Sequence, residues 1–110
     1  MSFFTPQTRV VRIDEENRVT IRKLTYGERQ EILSQCMQVS AGAGEEVSLD
    51  PARMQRMAMH KCIVSWDGPG FDGRPVTPEN IDALPAPVVD VIREAVDELN
   101  AGLDAAEKND

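Results

Sequence analysis

The first clear pattern along the chain is alternation. Residues 8–13 and 18–23 are rich in β-branched side chains, and Asp14-Glu15-Glu16-Asn17 is a polar turn between them. Two such runs around a turn predict a β-hairpin. In the second run Val19 and Ile21 point one way, while Arg18, Thr20 and Arg22 point the other. Val10, Val11 and Ile13 alternate less cleanly. An isolated hairpin is barely stable in water, so this one must lie on helices or pair with another chain.

Helical spacing follows. Thr25-Tyr26-Gly27-Glu28 has the form of a capping box. It predicts a helix from Tyr26 to about Gln38, with Tyr26, Ile32, Leu33, Cys36, Met37 and Val39 on one broad face. Residues 40–46 end it as a Gly/Glu loop. Asp50-Pro51 marks a second helix start, with Asp50 as N-cap and Pro51 at the first helical position. Met54, Met57, Ala58 and Cys62 form its apolar stripe. From Cys62 to Trp66 the pattern fits a helix or an extended segment, and a helix to about Ser65 is the expectation. Residues 67–75 are a Gly/Pro loop. Thr77-Pro78-Glu79-Asn80 opens a short helix through about Ala83. A last helix has Pro87 in its first turn, with Val88, Ile92, Ala95, Val96 and Leu99 on one face and Asn100 and Gly102 as stop signals.

These elements define an α+β fold: a mainly α-helical small domain over residues 8–100 that begins with a β-hairpin. Residues 1–7 read as an arm broken by Pro6, and residues 101–110 as a frayed polar tail. A chain of 110 residues is one ordinary domain. Aromatic residues are few, so the core rests on Val, Ile, Leu, Met and Ala.

Charge narrows the partners. The formal balance is 12 − 19 = −7, a field that repels phosphate backbones and anionic lipid, which disfavours nucleic acid and membrane. Residues 1–30 carry six Lys/Arg against four Asp/Glu, and residues 31–110 carry six against fifteen. That asymmetry suits head-to-tail self-association into a homo-oligomer or a basic partner protein; the plainer and favoured reading is a solvated surface tuned for solubility. No apolar run approaches the roughly 20 residues of a membrane span. The first residues have no basic region followed by an apolar stretch, so a cytoplasmic location with Cys36 and Cys62 reduced is expected.

No catalytic, cofactor or metal site is legible. Structural zinc needs four ligands in close pairs, and Cys36, His60 and Cys62 supply neither the number nor the spacing. Asp67 and Asp72 flank glycines, but the alternating ligands of a calcium loop fail at Pro69, Phe71 and Pro78. No base is placed beside either thiol, and Gly42-Ala43-Gly44 lacks the lysine of a phosphate loop. Binding is therefore the expected role. Its candidate residues are Tyr26, Met54, Met57, Trp66 and Phe71. Three of them have a plainer reading: Met54 and Met57 as core, and Trp66 as the anchor of the loop beside it. The hairpin edges either add strands to a neighbour or are blunted by their Arg and Lys residues.

Three stretches carry a resemblance. Arg22-Lys23-Leu24-Thr25-Tyr26-Gly27-Glu28-Arg29 resembles the strand and capped first helix of tail assembly chaperones of long-tailed bacteriophages. Ile63-Val64-Ser65-Trp66-Asp67-Gly68 and Asp72-Gly73-Arg74-Pro75-Val76-Thr77-Pro78-Glu79-Asn80-Ile81, followed by Leu84-Pro85 and the helix ending Glu98-Leu99-Asn100, are similar to their second half. The resemblance covers about residues 18–100. It implies a small cytoplasmic holdase that coats the tape-measure protein, keeps its apolar helices soluble, helps tail-tube protein polymerise and leaves before the virion is complete. It implies no catalytic residues. Rival classes are a structural morphogenesis protein of head-completion or tail-terminator type, and a small regulatory binding module.

Overall fold

The computed structural model describes residues 2–40 and 46–101; side chains are described outside 38–47. The expected loop around Gly42 and Gly44, the stop signal at Gly102 and the frayed tail fall largely or wholly outside the described residues.

The expected hairpin forms. Strands β1 (Thr8–Arg12) and β2 (Arg18–Arg22) pair antiparallel with Val11 opposite Val19 and Arg9 opposite Ile21. The turn is closed by Asp14, whose Oδ1 accepts the Glu16 and Asn17 amides at 2.9 Å each. Val19 and Ile21 are buried, as their alternation requires. On β1, Val11 faces the core and Val10 faces solvent.

Helix α1 (Tyr26–Cys36) starts on the capping box: Thr25 Oγ1 accepts the Glu28 amide at 3.2 Å, and Glu28 Oε1 accepts the Thr25 amide at 3.0 Å. It stops two residues before the expected Gln38. The Cys36 carbonyl accepts the Asp50 amide at 3.0 Å, and Met37 turns extended. Met37–Ser40 is strand β3, paired antiparallel with β4 (Glu46–Leu49), so Met37 stands opposite Leu49 and Val39 opposite Val47. Met37 and Val39 therefore leave the helical face assigned to them; Ser40 and Glu46, the ends of the expected loop, lie in the two strands, and residues 41–45 fall outside the described residues. Tyr26 also leaves that face: at the first helical position it is 79% exposed.

Helix α2 (Pro51–Cys62) begins as expected, with Asp50 Oδ1 accepting the Arg53 amide at 3.1 Å and Pro51 in the first turn. Its buried residues are Met59 and Cys62. The stripe of Met54, Met57 and Ala58 is only half-buried, so the core methionine of this helix is Met59.

The expectation of helix to Ser65 fails. Ile63–Asp67 is strand β5, the third strand of the sheet β1-β2-β5. The cause is long-range: β2 offers a free edge, and two β-branched residues, Ile63 and Val64, begin the segment that takes it. Pairing passes from Thr20–Ser65 to Ile21–Ile63 and skips Val64, which bulges outward and is exposed. The bulge puts Cys62 and Ile63 both in the core and breaks strict alternation.

A short 3-10 turn (Pro69–Phe71) leads to α3 (Pro78–Asp82), capped by Thr77 Oγ1 on the Asn80 amide at 3.1 Å, and then to α4 (Ala86–Leu99) with Pro87 in its first turn. One face of the sheet (Val11, Val19, Ile21, Ile63) packs on Met59 and Cys62 of α2, Phe71, Ile81 of α3, and Ile92, Val96 and Leu99 of α4. The fold is mixed α+β beginning with a β-hairpin. Ile32 and Cys36 are buried outside that cluster, so α1 packs on α2 as a satellite of the core. Among the described residues no helix is long and apolar enough to cross a membrane.

Candidate functional site

Because α1 packs on α2 and α4 packs on the sheet, a groove remains where the three helices meet. Ile32, Leu33 and Arg29 line it from α1, Met54, Gln55 and Ala58 from α2, and Val96, Asp97 and Asn100 from the end of α4. Leu24 closes one side. Its volume is about 370 Å³. The wall is largely apolar, with a guanidinium (Arg29) and a carboxylate (Asp97) on the rim. An amphipathic helix presents such an apolar stripe with polar flanks, and burying it in a groove is the usual mode of helix recognition.

The groove is held in shape by one polar residue. Asn100 Oδ1 accepts the Leu24 amide at 2.9 Å, and its Nδ2 donates to the Val96 carbonyl at 2.8 Å and lies 3.9 Å from Cys62 Sγ. The side chain thus ties the β2–α1 junction to the end of α4. A second tie is ionic. Arg22 Nη1 and Nη2 meet Glu28 Oε1 and Oε2 at 2.7 and 2.6 Å. This fork, with help from the Thr25 amide, holds the Glu28 carboxyl down at about 2.

Of the candidate binding residues, only Met54 lines the groove. Met57 turns toward Cys36, with Sδ 3.7 Å from Sγ. Tyr26 stands beside the 2–7 arm, in a concavity shared with Phe3, Phe4 and Leu24. Trp66 and Phe71 stack on each other, with centroids 4.8 Å apart and planes 4° from parallel. The Trp66 Nε1–H donates to the Arg74 carbonyl at 2.7 Å, so Trp66 anchors the 68–75 loop, and Phe71 is a core residue. Leu24, Arg29, Gln55, Asp97 and Asn100 were missed. One signal was available. An apolar residue just before a capping box usually meets an apolar partner at the fourth helical position. That position is Arg29, so Leu24 has no staple partner in its own helix and faces the groove.

The remaining polar cluster is a latch between α2 and α3. Asp82 Oδ2 accepts from Arg56 Nε and Nη2 at 3.2 and 2.8 Å, and Oδ1 lies 2.7 Å from His60 Nε2. Arg56 first and His60 second depress the Asp82 carboxyl. Cys62, two residues from His60, lies in the core, and burial pushes its thiol up to about 11, the opposite of what a nucleophile requires. Among the described residues no group of three or more His, Cys, Asp or Glu is arranged to hold a metal ion. No protein-family model, curated protein or solved structure matches the chain.

Proposed function

We propose that this chain is a tail assembly chaperone of long-tailed bacteriophages, which binds tape-measure protein in the host cytoplasm and keeps it soluble while tail-tube protein assembles around it. It acts by non-covalent binding and carries out no chemistry. The observation that supports this reading best is the open apolar groove between α1, α2 and the end of α4. A tape-measure helix would set its apolar stripe against Leu24, Leu33, Met54 and Ala58, with its flanking charges toward Arg29 and Asp97. The net charge of −7 would keep the complex in solution. The sequence resemblance over residues 18–100 supplies the identity of the partner.

Co-expression with tape-measure protein, pull-down and light scattering test the proposal. The chain should co-purify with tape measure and suppress its precipitation, and Met54→Glu should abolish both effects while the circular dichroism spectrum stays unchanged. Undiminished precipitation in the presence of excess wild-type chain would count against the reading. Detection of the protein in purified virions by mass spectrometry would favour a structural morphogenesis protein instead.

A further inference from the structure

The sheet β1-β2-β5 has two edges, and they differ. β5 is interrupted by the bulge at Val64, a common device for spoiling an edge for further pairing. β1 has no bulge: its pairing with β2 runs unbroken from Thr8–Arg22 to Arg12–Arg18. The bonds at the two ends of that ladder fix which residues face outward. The Lys23 amide donates to the Gln7 carbonyl and the Ile13 amide to the Asn17 carbonyl, both at 2.9 Å. Gln7 and Ile13 therefore sit in hydrogen-bonded pairs, and by alternation so do Arg9 and Val11. Thr8, Val10 and Arg12 turn their N–H and C=O groups away from β2, and no other backbone group among the described residues meets them. All three are exposed, Val10 to 60%. The 2–7 arm leaves this edge open, because it lies against Lys23, Leu24, Thr25 and Tyr26.

We propose that β1 pairs antiparallel with β1 of a second copy, Val10 against Val10, so that the sheets of the two copies join into one and close a two-fold dimer. The strand is complementary to itself in this register. A two-fold axis normal to the sheet requires opposed residue numbers to have an even sum, because opposed side chains share a face. Centred on Val10, Thr8 meets Arg12, Val10 meets its own copy, and Arg12 meets Thr8. All the outward-facing residues of both strands then pair, each pair exchanging two bonds. The same register sets Arg9 opposite Val11, so no like charges are opposed. Centring on Arg9 would set its guanidinium against that of its copy, and centring on Val11 would leave Thr8 unpaired. The exposed Val10 gains a β-branched partner across the seam. Arg9, on the helix side of the sheet, keeps Glu98 of its own copy at 3.6 Å. Charge at the ends of the seam agrees. The antiparallel arrangement lays the turn of each copy beside the open end of the other hairpin, so that Glu15 and Glu16, which make no ion pair among the described residues, approach the end where Lys23 stands.

Sedimentation velocity over a concentration series, on the full chain, tests it. The wild type should pass from monomer to dimer and stop there, because an isologous contact closes. Val10→Lys alters only an exposed side chain and opposes two ammonium groups at the axis; it should weaken the dimer at least about tenfold with an unchanged circular dichroism spectrum. Cysteine substitution reads the register. Val10→Cys should cross-link to its own copy under mild oxidation, because opposed residues bring their Cα atoms about 5.5 Å apart. Thr8→Cys should not, because its own copy lies four residues along the seam, about 14 Å away; Thr8→Cys mixed with Arg12→Cys should cross-link as a heterodimer. Cys36 and Cys62 are buried and do not compete. In hydrogen exchange the Thr8, Val10 and Arg12 amides should slow as concentration rises, while Arg9 and Val11, already bonded to β2, should not change. A wild type that stays monomeric at every concentration overturns the proposal, including the case in which a strand of another protein takes the edge. So does a dimer that Val10→Lys leaves intact, or a cross-link at Thr8→Cys in place of Val10→Cys. The seam uses no residue of the α1–α2–α4 groove, so capture of tape measure by monomeric Val10→Lys bears on the groove alone.

Discussion

Replacing Gly68 by alanine probes the joint on which β5 and the following loop depend. Gly68 has φ +133° and ψ 160°, a region reached almost exclusively by glycine. A Cβ there would collide with Asn17 Oδ1 and the Glu16 carbonyl, and would come within 2.8 Å of Asn17 Cα. Most of that obstruction is backbone of the first hairpin turn, which cannot rotate aside. Forcing the conformation costs about 1–3 kcal/mol. Shifting the turn would also break the bond from the Gly70 amide to Asn17 Oδ1, 2.8 Å long, worth about 1 kcal/mol. The expected loss is about 3 kcal/mol, or on the order of 15 °C in melting temperature for a domain of this size. Urea titration followed by Trp66 fluorescence reads it, because the indole anchors the same loop. Gly27→Ala is the control: its Cβ would meet nothing within 4 Å, and alanine in a helix should stabilise by up to about 1 kcal/mol. A Gly68→Ala midpoint within about 0.5 kcal/mol of wild type would refute the account of this joint.

Asn100→Ala should cost about 1–3 kcal/mol, read from urea midpoints, because it leaves the part-buried Leu24 amide without its acceptor. Glu28 has a folded pKa of about 2 against an ordinary 4.5, so its contribution is complete above pH 4.5 and is lost as pH falls toward 2. Glu28→Gln should flatten the acid limb of stability against pH, by no more than about 1 kcal/mol for a pair still in contact with water. Cys36 and Cys62 are both buried, so a thiol reagent at pH 8 should label neither in the native protein and both after unfolding; rapid native labelling of Cys62 would contradict a thiol pushed up to about 11. Trp66→Phe keeps an aromatic face for Phe71 and loses the bond to the Arg74 carbonyl, so it should cost about 1 kcal/mol and Trp66→Ala distinctly more.

What the sequence determined by itself was local. The capping box at Thr25, the Asp50-Pro51 and Thr77-Pro78 starts, the β1–β2 hairpin and the apolar face of α4 all rest on contacts within a few residues, and all appear where the pattern puts them. Tertiary structure decided what depends on distant partners. Ile63–Asp67 fits helix and strand alike in isolation, and the open edge of β2, more than forty residues earlier, makes it a strand. The end of α1 is fixed by the Asp50 amide and the pairing of β3 with β4, neither of which is visible in residues 26–38. Met59 rather than Met57 enters the core because helix rotation is set by the sheet beneath it. The groove is the extreme case. Leu24, Met54 and Asn100 are separated by dozens of residues, and only the packing of three helices around an unfilled space makes them one surface. Short-range hydrogen bonds and periodicity are written in sequence order, whereas concavity is a property of how finished elements fail to touch.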